Sequence, residues 1–319
     1  AQLSRGLGDV YKRQNDISES YNQTLQDIRK AALSEATVLF RGESGIGKSF
    51  LAKTLHNLSR RAEKPFHVLN TRAFSPEQIE NELFGVTTTG SALNRGLLLA
   101  AHGGTLLIED IEMLPPSLQS RLLQYLSDGQ FYQSGAQNPI SCKTRILASS
   151  ASDLDYLAEQ GKIRRDLYQA LQIVSIDIAP IRERREDLYW LVPSLLDKLC
   201  EKHGRGKLRL SNKCFSKLWN HSWPANIREL EGVLEKLIVL AAEEELSSGL
   251  LGEKHLPKEI FQNKEQDNSQ IVDLATLEKK AIRHALTVTG GNRRLTAKLL
   301  GISERTLYRA LENQDLESK

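Results

Sequence analysis

The stretch TVLFRGESGIGKSFLAKTLHNLSR, residues 37–60, changes pattern twice. An apolar, β-branched run gives way to a glycine-bearing loop, and the loop to residues spaced at the helical period. Its centre, GESGIGKS at residues 42–49, fits G-x-x-x-x-G-K-[ST], and the strand-loop-helix context is what makes that motif credible. A loop of this kind curls backbone N–H groups around a β-phosphate. Gly42, Glu43, Ser44, Gly45, Ile46 and Gly47 form the cradle, Lys48 supplies a point charge to the β- and γ-phosphates, and the Ser49 hydroxyl ligates magnesium. Phe50 opens the helix that follows. The expected ligands are therefore ATP and Mg2+.

Outward from the loop, short β-rich runs alternate with helix-length amphipathic stretches. The runs are ATVLF (36–40), PFHVLN (65–70), GTLLI (104–108) and KTRILAS (143–149). That rhythm predicts crossover helices on a parallel sheet over residues 15–186. From residue 187 to 262 the pattern turns entirely helical, as a lid beside the sheet would. The polar NKEQDNSQ begins a linker (263–273), and a small helical module (274–319) closes the chain. Residues 1–14 show no clear periodicity and are expected to be disordered or artefactual.

With 319 residues, 40% of them apolar, the chain can bury a large core and hold two or three domains. No apolar run reaches the roughly 18 residues that span a bilayer, and no secretory segment is evident, so a cytoplasmic location with no membrane partner is expected. Cys142, Cys200 and Cys214 are too few and scattered for a disulfide framework or a metal site, and read as reduced thiols. A net charge of +3 is too small to argue for nucleic acid across the whole chain.

LLIEDIEML, residues 106–114, sits where a P-loop ATPase keeps its acids. Glu109 ends the strand as the magnesium-side carboxylate, and Asp110 falls where a general base would polarise water. In the usual order the shorter acid comes first. Reversal changes each reach by one methylene, in chemistry where misplacement by about 1 Å costs roughly a hundredfold. Binding should survive this better than hydrolysis. A shifted register, with Asp110 at magnesium and Glu112 near the water, would turn side chains to the wrong face of the strand.

Over residues 15–262 the chain resembles the AAA+ domain of bacterial enhancer-binding proteins, which remodel sigma-54 RNA polymerase. The resemblance is carried by GESGIGKS, NELFG (81–85), GGTLLIEDIEMLPPSLQSRLLQYLSDGQF (103–131), GKIRRDLYQAL (161–171), APIRERREDL (179–188) and WPANIRELEGVL (223–234). It implies an AAA+ P-loop sheet with a helical lid, and an ATP-dependent ring, normally a hexamer, whose sites are completed by neighbours. By the same resemblance, Asn70 restrains the catalytic acid, Arg164 is a trans-acting arginine, and Arg228 senses nucleotide in cis.

Four departures point away from full activity. The acids are reversed; Ala170 stands at the second trans-arginine position; Ala151 stands where a polar sensor is expected. The fourth is VTTTGSALNRGLLLAAHGG (86–104), which is shorter than the family's polymerase-contacting loop. It lacks aromatic residues and keeps only Thr89 and Gly90 of GAFTGA. Slow or absent hydrolysis and loss of sigma-54 contact are the expectations.

The last segment has helix-period apolar residues, a break at Gly290 and Gly291, a short helix (293–300), a turn at Gly301 and Ile302, and Ser303 capping a final helix (304–311). Two short helices at that spacing predict a helix-turn-helix, and the segment resembles the Fis type, usually dimeric. Within 281–310 six bases face one acid, Glu304, which makes a phosphate-facing surface. Arg305, Thr306 and Arg309 are candidates for base edges; Arg293, Arg294 and Lys298 for phosphates.

Together these predict an α/β AAA+ sheet with a helical lid, followed by a small all-α helix-turn-helix. The expected function is a transcriptional regulator that binds ATP and promoter or enhancer DNA, meets RNA polymerase other than through sigma-54, and self-associates as a dimer to a hexamer. The alternatives are an active ATPase that remodels a sigma factor, a replication-initiator-like protein, and a DNA-binding factor with a vestigial nucleotide fold.

Overall fold

A computed structural model of the chain describes residues 17–87, 95–261 and 293. The chain divides into two compact units, Ala1–Phe261 and Gln262–Lys319. In the second, Arg293 is the described residue, helical and exposed.

The first unit opens with α1 (Glu19–Ala32), then β1 (Val38–Arg41), which runs through the glycine loop into α2 (Lys48–Leu58). Next come β2 (Phe66–Asn70), α3 (Pro76–Phe84), the one-turn α4 (Leu97–Ala100), β3 (Thr105–Glu109) and α5 (Pro116–Asp128). A small antiparallel pair, β4 (Gln130–Phe131) with β5 (Ile140–Ser141), precedes β6 (Arg145–Ser150), α6 (Leu154–Glu159), α7 (Arg165–Leu171) and β7 (Val174–Asp177).

The five long strands pair in parallel in the order β2-β3-β6-β1-β7. A parallel sheet covered on both faces buries its strands on both sides, and β6 is buried at all six positions, Arg145, Ser149 and Ser150 included. Alternate residues go to opposite faces. Leu106, Ile108, Ile146 and Ala148 join the helices α3, α5 and α7 in one core, while Leu107, Leu147, Val38 and Phe40 join α1 and α2 in another. The helix starts are locally encoded: α3 begins at a capping box, with Ser75 and Gln78 serving each other's amides and Pro76 in the first turn.

A third core, from Ile181 to Ile260, belongs to the lid. The lid comprises α8 (Leu188–Lys202), β8 (Arg209–Leu210), α9 (Asn212–Asn220), α10 (Asn226–Leu240), α11 (Glu243–Ser248), β9 (Leu250–Leu251) and α12 (Lys258–Phe261). The expectation of an entirely helical lid is corrected here. β8 and β9 form a two-residue parallel ladder, too short to leave a period in the sequence. β7 was not anticipated either: it buries Ile176 alone of its four residues, a weak apolar signal.

Among the described residues no helix is long and apolar enough to cross a membrane. None of the three cysteines is in a disulfide, and all three are buried. Thr89 and Gly90 lie outside the described residues.

Candidate nucleotide site

The glycine loop leaves the C-terminal end of β1, where α/β sheets present ligand clefts. Gly47 caps α2 in the left-handed conformation (φ 99°) with no side-chain cap, so the first-turn amides of α2 are left to an incoming anion. At Gly45 (φ 74°) an added Cβ would run into the Ala225 carbonyl oxygen, which is how closely the loop approaches the lid. Lys48 curls back over the loop, its Nζ donating to the carbonyls of Gly42 (2.6 Å) and Glu43 (2.9 Å). Burial holds its ammonium below the usual pKa, against the opposing pull of Asp110, Glu112 and Glu109.

Glu109 ends β3 in register with Asn70 of β2, and its Oε1 accepts from the Ser49 hydroxyl. A hydroxyl beside a carboxylate is the oxygen donor set that a small hard cation takes. Ser49 and Glu109 are thus the residues that would hold magnesium, which would supply positive charge to offset that of the β- and γ-phosphates. Asp110 follows in a left-handed conformation (φ 52°), and Thr71 pins this turn by donating to the carbonyls of Glu109 and Asp110 at 2.9 and 2.8 Å.

The partner of Asp110 is Arg72, whose Nε lies 2.7 Å from Oδ2. Asn70, expected from the resemblance to restrain the acid, lines the cleft and uses its side-chain oxygen to cap the turn after β2, accepting from the Arg72 amide at 3.0 Å. Glu112 points into a buried niche, where its Oε1 accepts from Ser152 Oγ at 2.9 Å and from the Ala151 amide at 3.4 Å. The sequence gives Arg72 no role, because no spacing rule links a turn after β2 to one after β3, and it brings Glu112 to the water only in the shifted register. Ser149 of β6 lines the cleft just ahead of the Ala151 position.

The lid closes the other side. Arg228 donates from Nη1 to Ser44 Oγ (3.1 Å) and from its amide to the Gly45 carbonyl (3.2 Å). Asn226, fully buried, donates to Glu43 Oε2 (2.9 Å) and the Ser44 carbonyl (3.3 Å), and accepts from the Ile181 amide (3.0 Å). Arg182 grips the Glu43 carboxylate with both terminal nitrogens, at 2.8 and 2.5 Å. Together with Asn226 it holds that carboxyl down at about 2. The cleft encloses about 620 Å³. Its apolar wall includes Ile46, Ile227, Leu191 and the stacked rings of Tyr21 and Trp190, 5.4 Å apart. Asp187 ties this wall to the start of α1, accepting from the Ser18 amide (2.8 Å) and from Trp190 Nε1 (3.1 Å). Phe50 lines the cleft half-exposed.

Arg164 is not among the cleft-lining residues. It caps α7 on the surface, paired with Asp166 at 2.6 Å and donating to Ser120 Oγ at 3.0 Å. Ala170 presents its carbonyl to Thr37 Oγ1 at 2.7 Å. Arg294, Lys298, Arg305, Thr306 and Arg309 lie outside the described residues.

A phosphate loop after β1, a carboxylate at the tip of β3 and a lid arginine over the loop together define an AAA+ P-loop fold. Residues 15–177 match the sigma-54 interaction domain, 182–272 the AAA+ ATPase lid domain, and 273–313 the Fis family of bacterial regulatory proteins. The chain belongs to the sigma-54 interaction domain family, as a regulator of the sigma-54-dependent type with a Fis-family helix-turn-helix.

Among curated relatives, the transcriptional regulatory protein ZraR of Klebsiella oxytoca is 34% identical over 302 residues, covering 92% of this chain and 67% of that protein. The regulatory protein AtoC of Escherichia coli K12 is 34% identical over 306 residues, covering 92% and 65%. The chain thus spans about two thirds of these relatives' length. NtrX of Brucella abortus, 29% identical, superposes with a TM-score of 0.73 over 98% of this chain and 71% of that one. NtrX has also been solved in complex with ATP and with ADP.

Proposed function

We propose that this chain binds ATP with magnesium in the cleft between sheet and lid, hydrolyses it weakly, and regulates transcription from promoter or enhancer DNA through its C-terminal helix-turn-helix without contacting sigma-54. The observation that carries the nucleotide reading is the joint placement of Lys48 in its loop, Ser49 against Glu109, and Arg228 over Ser44. The ATP and ADP complexes of NtrX support it. Weak hydrolysis is supported by the reversed acids, by Ala151 and Ala170, and by the engagement of Asp110 with Arg72. An arginine finger is worth a factor of about 10³ or more, so the loss of one is costly. Loss of sigma-54 contact rests on the shortened sequence of residues 86–104, which has no Phe, Tyr or Trp and keeps only Thr89 and Gly90 of GAFTGA.

Homo-oligomers, from dimer to hexamer, and RNA polymerase are the expected protein partners. Within such an assembly the exposed Arg164 would serve a neighbouring site. The catalytic roles assigned to Glu109, Asp110, Asn70 and Arg164 belong to this proposal.

A second reading, an active remodelling ATPase, is favoured by the Ser49–Glu109 contact and the exposed Arg164. One experiment separates the two: ATP binding and phosphate release measured on one preparation across protein concentrations, with Lys48→Ala as the blank. Binding with release at the blank's level is expected. Release that climbs with concentration would overturn the weak-hydrolysis reading in favour of the remodeller.

A further inference from the structure

Arg72 stands between two carboxylates. Its Nε is 2.7 Å from Asp110 Oδ2, and its Nη2 is 4.0 Å from Glu112 Oε1. Asp110 is partly open to the cleft, whereas the Glu112 side chain is only 2% exposed. The Oε1 of Glu112 is served by Ser152 and the Ala151 amide, but its Oε2 is buried and accepts no hydrogen bond from any described residue. A buried carboxylate oxygen left bare is rare and costly, and calls for a hydrogen-bond donor. Lys48 is also near enough to interact with Glu112, but its ammonium is committed to the loop carbonyls. The guanidinium of Arg72 is planar with five donors, is half-exposed, and is already one short step from Glu112.

We propose that Arg72 is a positioning residue with two seats: on Asp110, where it withholds that carboxylate from water, and on Glu112, where it releases it. This rests on the reading that the cleft binds ATP and that Asp110 faces the attacking water. In the Asp110 seat one carboxylate oxygen is engaged by Nε and is not free to take a proton. A shift of the guanidinium by about 1 Å toward Glu112 would bring Nη2 within hydrogen-bond range and draw Nε off Asp110. Glu112 thereby sets how often Asp110 is available.

The test uses the full chain in four forms: wild type, Arg72→Ala, Glu112→Gln and the double variant. ATP affinity and phosphate release per site are read at saturating ATP. Arg72→Ala should raise release by roughly tenfold or more, within the range of a recovered general base, while ATP affinity changes less than about twofold. Glu112→Gln, which keeps the acceptor for Ser152, should leave release at or below the wild-type rate. The double variant should match Arg72→Ala, because without the arginine the second seat has no occupant. Arg72→Lys, a point charge without the fork, should fall between wild type and Arg72→Ala, and guards against a folding defect in either primary variant. If Arg72→Ala is no faster than wild type, or if the double variant is slower than Arg72→Ala, the two-seat arrangement is wrong while nucleotide binding stands. Failure of the wild type to bind ATP would bring down both.

Discussion

Glu43 is an acid inside a phosphate-binding turn, a place where negative charge works against the ligand. Its carboxylate is therefore neutralised locally, by Arg182 first and Asn226 second, and its pKa falls from 4.5 to about 2. A carboxyl with a depressed folded-state pKa contributes fully above about 4.5, and the contribution is lost as pH falls through 2. Both partners are about 40% exposed, so solvent screens the pair. Chemical unfolding of wild type and Glu43→Gln should differ near pH 6 and converge as pH approaches 2. A gap that stays constant over that window would mean that the link acts through shape rather than charge.

At the scale of elements, the lid is the part with its own core. Leu199 of α8 is 1% exposed within it, among Leu195, Leu234 and Leu237. Leu199→Ala should cost about 2–5 kcal/mol through lost burial and the cavity left behind, seen as a lower urea midpoint; a change below about 1 kcal/mol would show that the lid collapses around the gap. The sequence made the central strands legible because β1, β3 and β6 are apolar on both faces, and it made the loop legible because glycine, lysine and serine are fixed by phosphate chemistry. It hid β7, which leans on one buried side chain, and the two-residue ladder of β8 and β9. It also hid Arg72 beside Asp110, and Tyr21 on Trp190, since contacts between segments 38 and 169 positions apart leave no period to read. Trp223 is a further case: it is fully buried at φ 53°, its Nε1 donating to the Leu218 carbonyl at 3.0 Å, in a turn that places α10 over the loop.

For the whole molecule, the division into two compact units separates the nucleotide cleft from the basic segment at the C-terminus. In the proposed DNA reading, the arginines and lysine there have distinguishable duties. Arg305→Ala should cost about 1–3 kcal/mol at the preferred site and relax base selectivity, whereas Lys298→Ala should weaken all sequences alike and lower the salt slope by about 1. Binding measured on specific and random duplexes from 50 to 200 mM salt, about the range over which such contacts are lost, separates them. Equal losses on both duplexes for Arg305→Ala would remove it from the base-reading set. These readouts need no nucleotide, so the two units can be judged independently.

Asn226 is the first residue of α10, and its one side chain fastens three pieces of chain: the phosphate turn at Glu43 and Ser44, the lid helix it begins, and the exit from the sheet at Ile181. It does so from a left-handed backbone (φ 54°) that asparagine tolerates better than most residues. The joint therefore links the lid helix to the phosphate turn through a single side chain. A tilt of α10 would have to break these hydrogen bonds or carry the turn with it, and if a ligand held the turn, linkage would make that coupling reciprocal.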